Sequence, residues 1–293
     1  MVGQKGWRQL PVVMLFIGPS LAALILFLLG PLIVSLGISL TSWDLLTPPR
    51  YIGLANYSEL FHSSDVRDAL SHTLFFIVGY LPTVLVLGLG LALLLNRPLR
   101  GLSLYRTAFF MPVVSSWVAV SLMWKWLLNP AFGLVNYLLG LLHLYQPGWW
   151  ADPHWAMPAV IIASVWKDVG FVMVLLLAGL QGIDRSFYEA AQIDGAGAWA
   201  RFRYVTVPLL SPSIFFVTVI SLINSFQVFD QVWVMTGGGP GGASSVIVEH
   251  IVRNAFSYGR MGYASALSWV LFVVIFAITA AQFAAQRRWV HYG

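Results

Sequence analysis

The chain has 293 residues, of which 59% are hydrophobic and only 9% are charged, and its formal net charge is +5. A soluble domain carries roughly 25% charged residues, so this composition excludes a water-facing globular surface and suits a surface in contact with lipid. The absence of cysteine excludes disulfides, thiolate metal sites and cysteine nucleophiles.

Six apolar segments are long enough, or nearly so, for a membrane-spanning helix of about 20 residues. They cover residues 10–43, 69–96, 107–124, 155–183, 204–229 and 261–286. Only the fourth contains charged residues, Lys167 and Asp168. A helix satisfies its own backbone hydrogen bonds inside a bilayer, and none of the segments alternates like a barrel strand. The sequence therefore predicts an all-α, polytopic transmembrane helical bundle with six spans.

Basic residues between and beside these spans predict the orientation, because Lys and Arg are enriched in cytoplasmic loops. They cluster in both termini, in the connection between the second and third spans, and in the connection between the fourth and fifth: Lys5, Arg8, Arg97, Arg100, Arg106, Arg185, Arg201, Arg203, Arg287 and Arg288. We therefore expect cytoplasmic N- and C-termini in a multi-pass protein of a bacterial plasma (inner) membrane.

One further charge-free stretch, residues 126–150, would reverse the topology of everything after it if it crossed the membrane. Asn129-Pro130, Asn136 and Gln146-Pro147 interrupt it with turn-forming residues. We predict an amphipathic or re-entrant segment at the outer surface, and a single integral membrane domain over residues 1–293.

The most polar stretch, residues 184–207, lies between the fourth and fifth spans. Ser186 followed by Glu189 fits a capping box, and Gly195 can end the helix in a left-handed turn. These signals predict a helix of about eight residues, a second short helix through Arg203, and a fifth span that begins near Pro208. An ordinary amphipathic loop lying on the membrane would explain the same composition.

The same stretch carries a family resemblance. Glu189-Ala190-Ala191, Asp194-Gly195-Ala196, Phe202 and Pro208-Leu209-Leu210 resemble the EAA loop of ABC-importer permeases. Phe229-Asp230, the Thr-Gly-Gly-Gly-Pro of residues 236–240 and the Gly-Tyr-Ala-Ser-Ala of residues 262–266 resemble the carbohydrate-uptake branch, the maltose- and glycerol-phosphate-type permeases. The resemblance implies a type I ABC importer transmembrane-domain fold.

This resemblance also implies roles and partners. A helix containing Glu189, Ala190, Ala191, Asp194, Gly195 and Ala196 would couple the chain to a separate ATPase. The expected partners are a second permease subunit in a heterodimer, a dimer of ATP-binding subunits and an extracytoplasmic solute-binding protein.

Nucleotide and metal chemistry find no support in the sequence. The three lysines, Lys5, Lys125 and Lys167, are not followed by Ser or Thr after a glycine-rich turn, as a P-loop requires. We therefore expect no cofactor on this chain, with ATP and Mg²⁺ on the partner ATPase. The histidines lack metal-ligand spacing, so we predict no metal site and a non-catalytic subunit. The basic residues are spread over several loops, which fits contact with lipid rather than nucleic acid.

Polar residues inside the spans are candidates for a substrate path, because ionisable residues are costly in a membrane. Ser164, Lys167 and Phe171 share one face of the fourth span, which also contains Asp168 about 100° away from Lys167. Ser221, Asn224 and Ser225 share a face of the fifth span, and Asp230 lies near its outer end. Hydroxyl and amide groups with aromatic rings suit a sugar. Helix–helix contact would explain the serines equally well, and an interfacial charge would explain Asp230.

The sequence thus predicts a permease subunit of an ATP-driven ABC importer for a sugar or related polyol or glycoside. The alternative is an ion- or proton-coupled secondary solute transporter. It would explain Lys167 and Asp168 without partner proteins, but it leaves residues 184–207 without a role.

Overall fold

The structure, a computed structural model, describes residues 6–97 and 100–290. Lys5 and the side chain of Arg8, which support the predicted cytoplasmic N-terminus, lie outside the described residues. The α-helices in chain order are α1 Gly6–Leu24, α2 Gly30–Ser39, α3 Ala55–His62, α4 Ser64–Leu95, α5 Leu102–Val114, α6 Trp117–Leu127, α7 Leu134–Leu141, α8 Ala156–Gln181, α9 Arg185–Ile193, α10 Ala198–Arg201, α11 Val207–Phe226, α12 Asp230–Met235, α13 Ile247–Val252 and α14 Met261–Gln286.

Short irregular elements join several of these helices. Three π-helical turns cover Ile25–Leu29, Phe202–Thr206 and Arg253–Ser257, and a 3₁₀ turn covers Trp149–Ala151. Two short antiparallel strands, β1 Thr41–Ser42 and β2 Arg50–Tyr51, pair Thr41 with Tyr51. The turn at Phe202–Thr206 connects α10 directly to α11, so the predicted second short helix continues into the fifth span without an intervening loop.

Five helical stretches are long and apolar enough to cross a membrane: Met14–Ser39, Ser64–Leu95, Ala156–Gln181, Ala198–Phe226 and Met261–Gln286. A sixth span is possible if α5 and α6 are taken together. The predicted all-α transmembrane bundle is confirmed. Which side of the membrane the termini occupy stays a prediction.

The third predicted span needs a correction, because it is two helices and not one. Helices α5 and α6 meet at an angle of 100°. Ser115 and Ser116 between them have extended backbone, with ψ of 146° and 139°. Pro112 in the last turn of α5 also lacks the amide hydrogen that would extend the helical hydrogen bonds.

The contacts of the chain define two compact units. The first comprises Met1–Ser63 with Ile251–Leu271, and the second comprises Ser64–His250 with Phe272–Gly293. In the first unit, the side-chain amide of Asn56 donates to the carbonyls of Ser39 and Thr41, at 2.8 and 2.9 Å. These bonds tie α3 to the end of α2 and to β1.

In the second unit, α8 packs against α4, α5 and α11. Two glycines permit close approaches of α8 to α4 and α5. A Cβ atom at Gly88 of α4 would clash with the side chain of Val172, and one at Gly170 of α8 would clash with the backbone carbonyl of Phe109 in α5. Small residues allow such close helix contacts in a membrane, where lipid removes most of the hydrophobic drive between helices. These contacts fix which face of α8 turns toward α4 and α5.

Residues 126–150 contain α7, of eight residues, and the 3₁₀ turn. Neither is long enough to cross a bilayer. Asn136 was expected to form a turn, but it lies buried in α7. Its side chain accepts a hydrogen bond from the indole of Trp149 at 2.6 Å and donates to the carbonyls of Pro130 and Pro147. Asn136 thereby holds the two ends of this segment together.

Candidate functional site

A cavity of about 260 Å³ lies within the second unit, among α4, α6, α8, α11 and α12. Its walls combine aromatic rings with carboxylates, amides and a hydroxyl. The lining residues are Phe76, Tyr80, Trp117, Asp168, Asn224, Ser225, Gln227, Val228, Phe229, Asp230 and Gln231. Clefts with aromatic walls and a few convergent polar groups are typical of small-molecule sites.

The wall formed by α4 and α8 is organised around one hydrogen bond. The hydroxyl of Tyr80 donates to Oδ2 of Asp168 at 2.8 Å. Tyr80 is buried and its ring stacks on that of Phe76, with 5.2 Å between the ring centres. The phenol therefore has little freedom, and the bond holds the Asp168 carboxylate at the cavity wall.

Lys167 is not among the residues that line this cavity. Its Nζ donates to the backbone carbonyl of Val113 at 3.0 Å and lies 4.7 Å from the centre of the Trp117 ring. Val113 is in the last turn of α5, where carbonyls lack helical partners and attract positive charge. Trp117 is the first residue of α6 and lines the cavity. Lys167 thus contacts both helices at their 100° bend.

The structure separates the predicted substrate-path residues into two groups. Asp168, Asn224, Ser225 and Asp230 line the cavity. The other four, Ser164, Lys167, Phe171 and Ser221, are not among its lining residues.

Two of the four make contacts just behind the lining. Ser164 is buried, donates to the Val160 carbonyl at 2.8 Å and accepts a long hydrogen bond of 3.4 Å from Gln231. The carbonyl of Ser221 accepts from the hydroxyl of Ser225 at 2.5 Å.

Several lining residues were missed from the sequence. Phe76 and Tyr80 belong to an apolar run in which an aromatic residue looks like any lipid-facing or core residue. Gln227 and Gln231 flank the predicted Asp230, and their amides were the one available signal. Trp117 is visible as a lining residue only once the bend between α5 and α6 is known.

The second region of interest is α9, which begins differently from the prediction. Its N-cap is Asp184, whose Oδ1 accepts from the backbone N–H of Ser186 at 2.8 Å. The predicted capping box, with Ser186 as the cap and Glu189 at the third helical position, is therefore wrong. The backbone N–H of Ser186, helped by its side chain, lowers the pKa of Asp184 below its ordinary value.

The end of α9 follows the prediction. Gly195 has a positive φ of 77°. The N–H of Ala196 donates to the Ala191 carbonyl at 2.9 Å, and that of Gly195 donates to the Gln192 carbonyl at 3.1 Å. This pair of bonds is the Schellman motif, which needs a left-handed residue after the helix. The chain then turns into α10, and Tyr188 bonds to Thr206 at 3.1 Å between their hydroxyl oxygens.

The segment from α9 to α10 exposes both polar and apolar side chains. Glu189, Ala190 and Asp194 are exposed. Ile193 is 87% exposed and Trp199 is 74% exposed. A short, firmly capped helix that presents a carboxylate, small residues and uncovered apolar side chains can fit into a groove of another protein.

The histidine, aspartate and glutamate residues of the described chain do not form a group of three that could hold a metal ion.

The fold identifies the class of protein. A solved structure of a bacterial alginate ABC transporter, in complex with an alginate pentasaccharide-bound periplasmic protein, matches this chain with a TM-score of 0.86. The match covers 100% of this chain and 99% of the transporter chain, at 25% sequence identity. The chain therefore has the fold of an ABC importer transmembrane subunit.

The family model described as "Binding-protein-dependent transport system inner membrane component" matches residues 52–291, and the chain belongs to that family. The lactose transport system permease protein LacF of Rhizobium radiobacter is 37% identical, over 93% of both chains. The trehalose/maltose transport system permease protein MalF of Thermococcus litoralis is 33% identical, over 93% of this chain and 92% of the relative. The predicted resemblance to carbohydrate-uptake permeases of ABC importers is confirmed.

Proposed function

We propose that this permease carries a sugar, or a related polyol or glycoside, through the cavity beside Asp168, and that α9 couples this transport to a separate ATPase. The observation that carries the proposal is the cavity itself, because it places aromatic rings next to carboxylates and amides inside the membrane-spanning bundle. The permeases named for lactose and for trehalose or maltose support the sugar.

The chemistry of the cavity suits a polyhydroxylated ligand. Carboxylate and amide oxygens accept hydrogen bonds from hydroxyl groups, and amide nitrogens donate them. Asp168, Asn224 and Gln227 offer these groups at the wall. The rings of Trp117 and Phe229 offer flat apolar surfaces for the C–H faces of a sugar ring.

The exposed segment around α9 suits attachment to a cytoplasmic ATPase. Ala190 and Ala191 permit a close approach, whereas Glu189 and Asp194 supply charge that can fix the orientation of the contact. Gly195 gives the sharp turn that lets the short helix stand out from the spans. Movement of the ATPase groove would then be transmitted through α10 into α11, whose last turn reaches the cavity.

The proposed assembly and topology complete this picture. The whole chain, residues 1–293, would form one integral membrane permease domain of a bacterial inner membrane, with both termini in the cytoplasm. Its partners would be a second permease in a heterodimer, a pair of ATP-binding subunits that hold ATP and Mg²⁺, and an extracytoplasmic solute-binding protein. The periplasmic protein in the alginate transporter complex supports the last of these.

A secondary transporter is the competing function, and one contact favours it. The Tyr80–Asp168 hydrogen bond puts an ionisable pair inside the bundle, where proton-coupled transporters place their relays. The two functions differ in their energy source. Uptake by the importer needs ATP inside the vesicle and survives an uncoupler, whereas proton-coupled uptake stops with the uncoupler.

The decisive experiment reconstitutes the chain with its second permease and ATP-binding subunits into vesicles and measures binding-protein-stimulated ATP hydrolysis. We expect Glu189→Lys to abolish most of the stimulation, because it reverses the charge of the exposed segment. Asp68→Lys makes the same change on an exposed residue of α4 and should retain the wild-type rate. A wild-type chain that binds no ATPase, or a Glu189→Lys variant with full stimulation, would overturn the coupling role.

A further inference from the structure

We infer that the solute carried by this permease has no negative charge and is a neutral or amine-bearing sugar rather than a uronate, sulfonate or phosphate sugar. The inference rests on the proposed function, because it assigns the charge selectivity to the same cavity. It follows from which charged groups face the cavity and which face away from it.

Two carboxylates from different helices line the cavity. Asp168 projects from the middle of α8, and Asp230 stands at the start of α12, just after α11 ends. The described residues that line the cavity include no lysine, arginine or histidine, and the positive charge nearest to them in sequence is that of Lys167, next to Asp168. The remaining polar lining groups, such as Asn224 and Gln227, are uncharged.

The helices that line the cavity contain two lysines, and each makes contacts outside the lining. The ammonium of Lys167 is buried against the Val113 carbonyl and the Trp117 ring. Lys125 of α6 donates to the Val234 carbonyl at 3.2 Å and lies 5.3 Å from the centre of the Trp150 ring. Neither lysine lines the cavity. Both ammonium groups contact backbone carbonyls and aromatic rings.

A carboxylate at the cavity wall suits hydroxyl or ammonium donors. Tyr80 occupies only Oδ2 of Asp168, which leaves Oδ1 able to accept a hydrogen bond from a sugar hydroxyl. A ligand carboxylate offers no proton to Oδ1 and repels both Asp168 and Asp230. This repulsion is stronger inside a membrane-spanning bundle than in water, because the effective dielectric constant is lower.

The fold alone does not impose this preference. The transporter structure with the matching fold is described as an alginate transporter, and another matching structure is described as importing the acidic polysaccharide alginate. The selectivity inferred for this chain therefore comes from its own lining residues, and changes of those residues can test it.

The first test supplies the complete importer, in vesicles loaded with ATP and with its binding protein outside, with an equimolar mixture of oligosaccharides. Malto-, cello- and galacto-oligosaccharides are the neutral probes, chitosan oligomers carry amines, and alginate and polygalacturonate oligomers carry carboxylates. Mass spectrometry of the vesicle contents identifies what entered. We expect ATP-dependent accumulation of neutral or amine-bearing sugars only. Accumulation of an acidic oligomer would overturn the inference, whereas failure of every sugar to enter would overturn the proposed function.

The second test assigns the selectivity to this cavity. A variant with both Asp168→Asn and Asp230→Asn replaces the two carboxyl groups by amides of the same shape. We expect its discrimination against the uronate counterpart of the accepted sugar to fall by at least about tenfold, because the repulsion is lost. Asp68→Asn on the exposed outer end of α4 is the control and should keep wild-type discrimination. An unchanged discrimination in the double variant would overturn the role of these two carboxylates.

Discussion

The ammonium of Lys167, in the middle of α8, lies 3.0 Å from the carbonyl oxygen of Val113, in the last turn of α5. This contact crosses between helices at the point where the third span bends, and the same ammonium faces the ring of Trp117 on the other side of the bend. Lys167, a substrate-path candidate by its position in the membrane, does not line the cavity, and its contacts predict a positioning role. It holds a cavity-lining tryptophan in place.

Replacing Lys167 by methionine tests this positioning role. We expect the KM for the accepted sugar to rise about tenfold, because a charge-assisted hydrogen bond and a cation–π contact to Trp117 are both lost. The maximal uptake rate should change little, because Lys167 does not touch the ligand. Initial uptake rates over a range of sugar concentrations separate the two parameters.

The conservative variant of the same residue provides the control. Arginine keeps the positive charge and can donate to a carbonyl while facing an aromatic ring. Lys167→Arg should therefore recover most of the affinity lost in Lys167→Met. Equal KM values in the wild type and both variants would show that no positive charge is needed to position Trp117 at the bend between α5 and α6.

Tyr80→Phe removes one hydroxyl and keeps the stacked ring. Because the Asp168 carboxylate then loses its fixed donor, we expect weaker binding of the accepted sugar, with KM raised about tenfold. Tyr137→Phe removes a hydroxyl from an exposed residue of α7 and should leave KM unchanged. If Tyr80→Phe also leaves KM unchanged, the hydrogen bond serves helix packing and not the cavity.

The transmembrane helices were predictable because a charge-free run of about 20 residues is a sufficient local signal for a spanning helix. The bend in the third span was not, because it combines extended backbone at Ser115 and Ser116 with a contact from Lys167, which is 54 residues from Val113. A distant contact of this kind leaves no pattern in the local sequence.

Only some of the cavity-lining residues could be identified from the sequence, for a related reason. Helical spacing separates the face of Ser164 and Lys167 from Asp168 on α8, but spacing on one helix does not reveal which face turns inward. That rotation is set by close contacts at Gly88 and Gly170 with neighbouring helices. Only the assembled helices show that the Asp168 face, with Tyr80 opposite, forms the wall.

Asp184 and Ser186 are both candidate N-caps of α9, because either side chain can accept a hydrogen bond from a backbone N–H. Asp184 accepts from the N–H of Ser186, so Asp184→Ala should loosen the first turn of α9, whereas Ser186→Ala should leave it nearly intact. Hydrogen–deuterium exchange of the amides in residues 186–189 measures this difference. Faster exchange in Ser186→Ala than in Asp184→Ala would restore the capping box that the sequence suggested.

The pH dependence of this cap follows from the sign of its pKa shift. The folded pKa of Asp184 is lowered, so its contribution to the helix is fully present above the ordinary aspartate pKa of about 3.9 and is lost as the pH falls through the lowered folded value. We therefore expect protection of the first turn, corrected for intrinsic exchange, to stay constant between pH 8 and pH 5. Asp184→Asn, which keeps an acceptor oxygen but does not titrate, should behave alike across that range. A loss of protection in the wild type near neutral pH would contradict this assignment.

The end of α9 offers a matched pair of glycines, two residues apart, that differ in the sign of φ. Gly195 has φ of +77° and Gly197 has φ of −69°, and a Cβ atom at either position would meet no neighbour within 4 Å. Gly195→Ala should therefore cost about 1–2 kcal/mol through the left-handed conformation. Gly197→Ala should cost less, because its φ suits alanine and only the N-cap preference of the short α10 is lost. We expect Gly195→Ala to speed amide exchange at Gly195 and Ala196 and to reduce the ATPase stimulation, with Gly197→Ala close to wild type in both measurements. Equal losses in the two variants would mean that small size, and not the turn, is what the coupling segment requires at these positions.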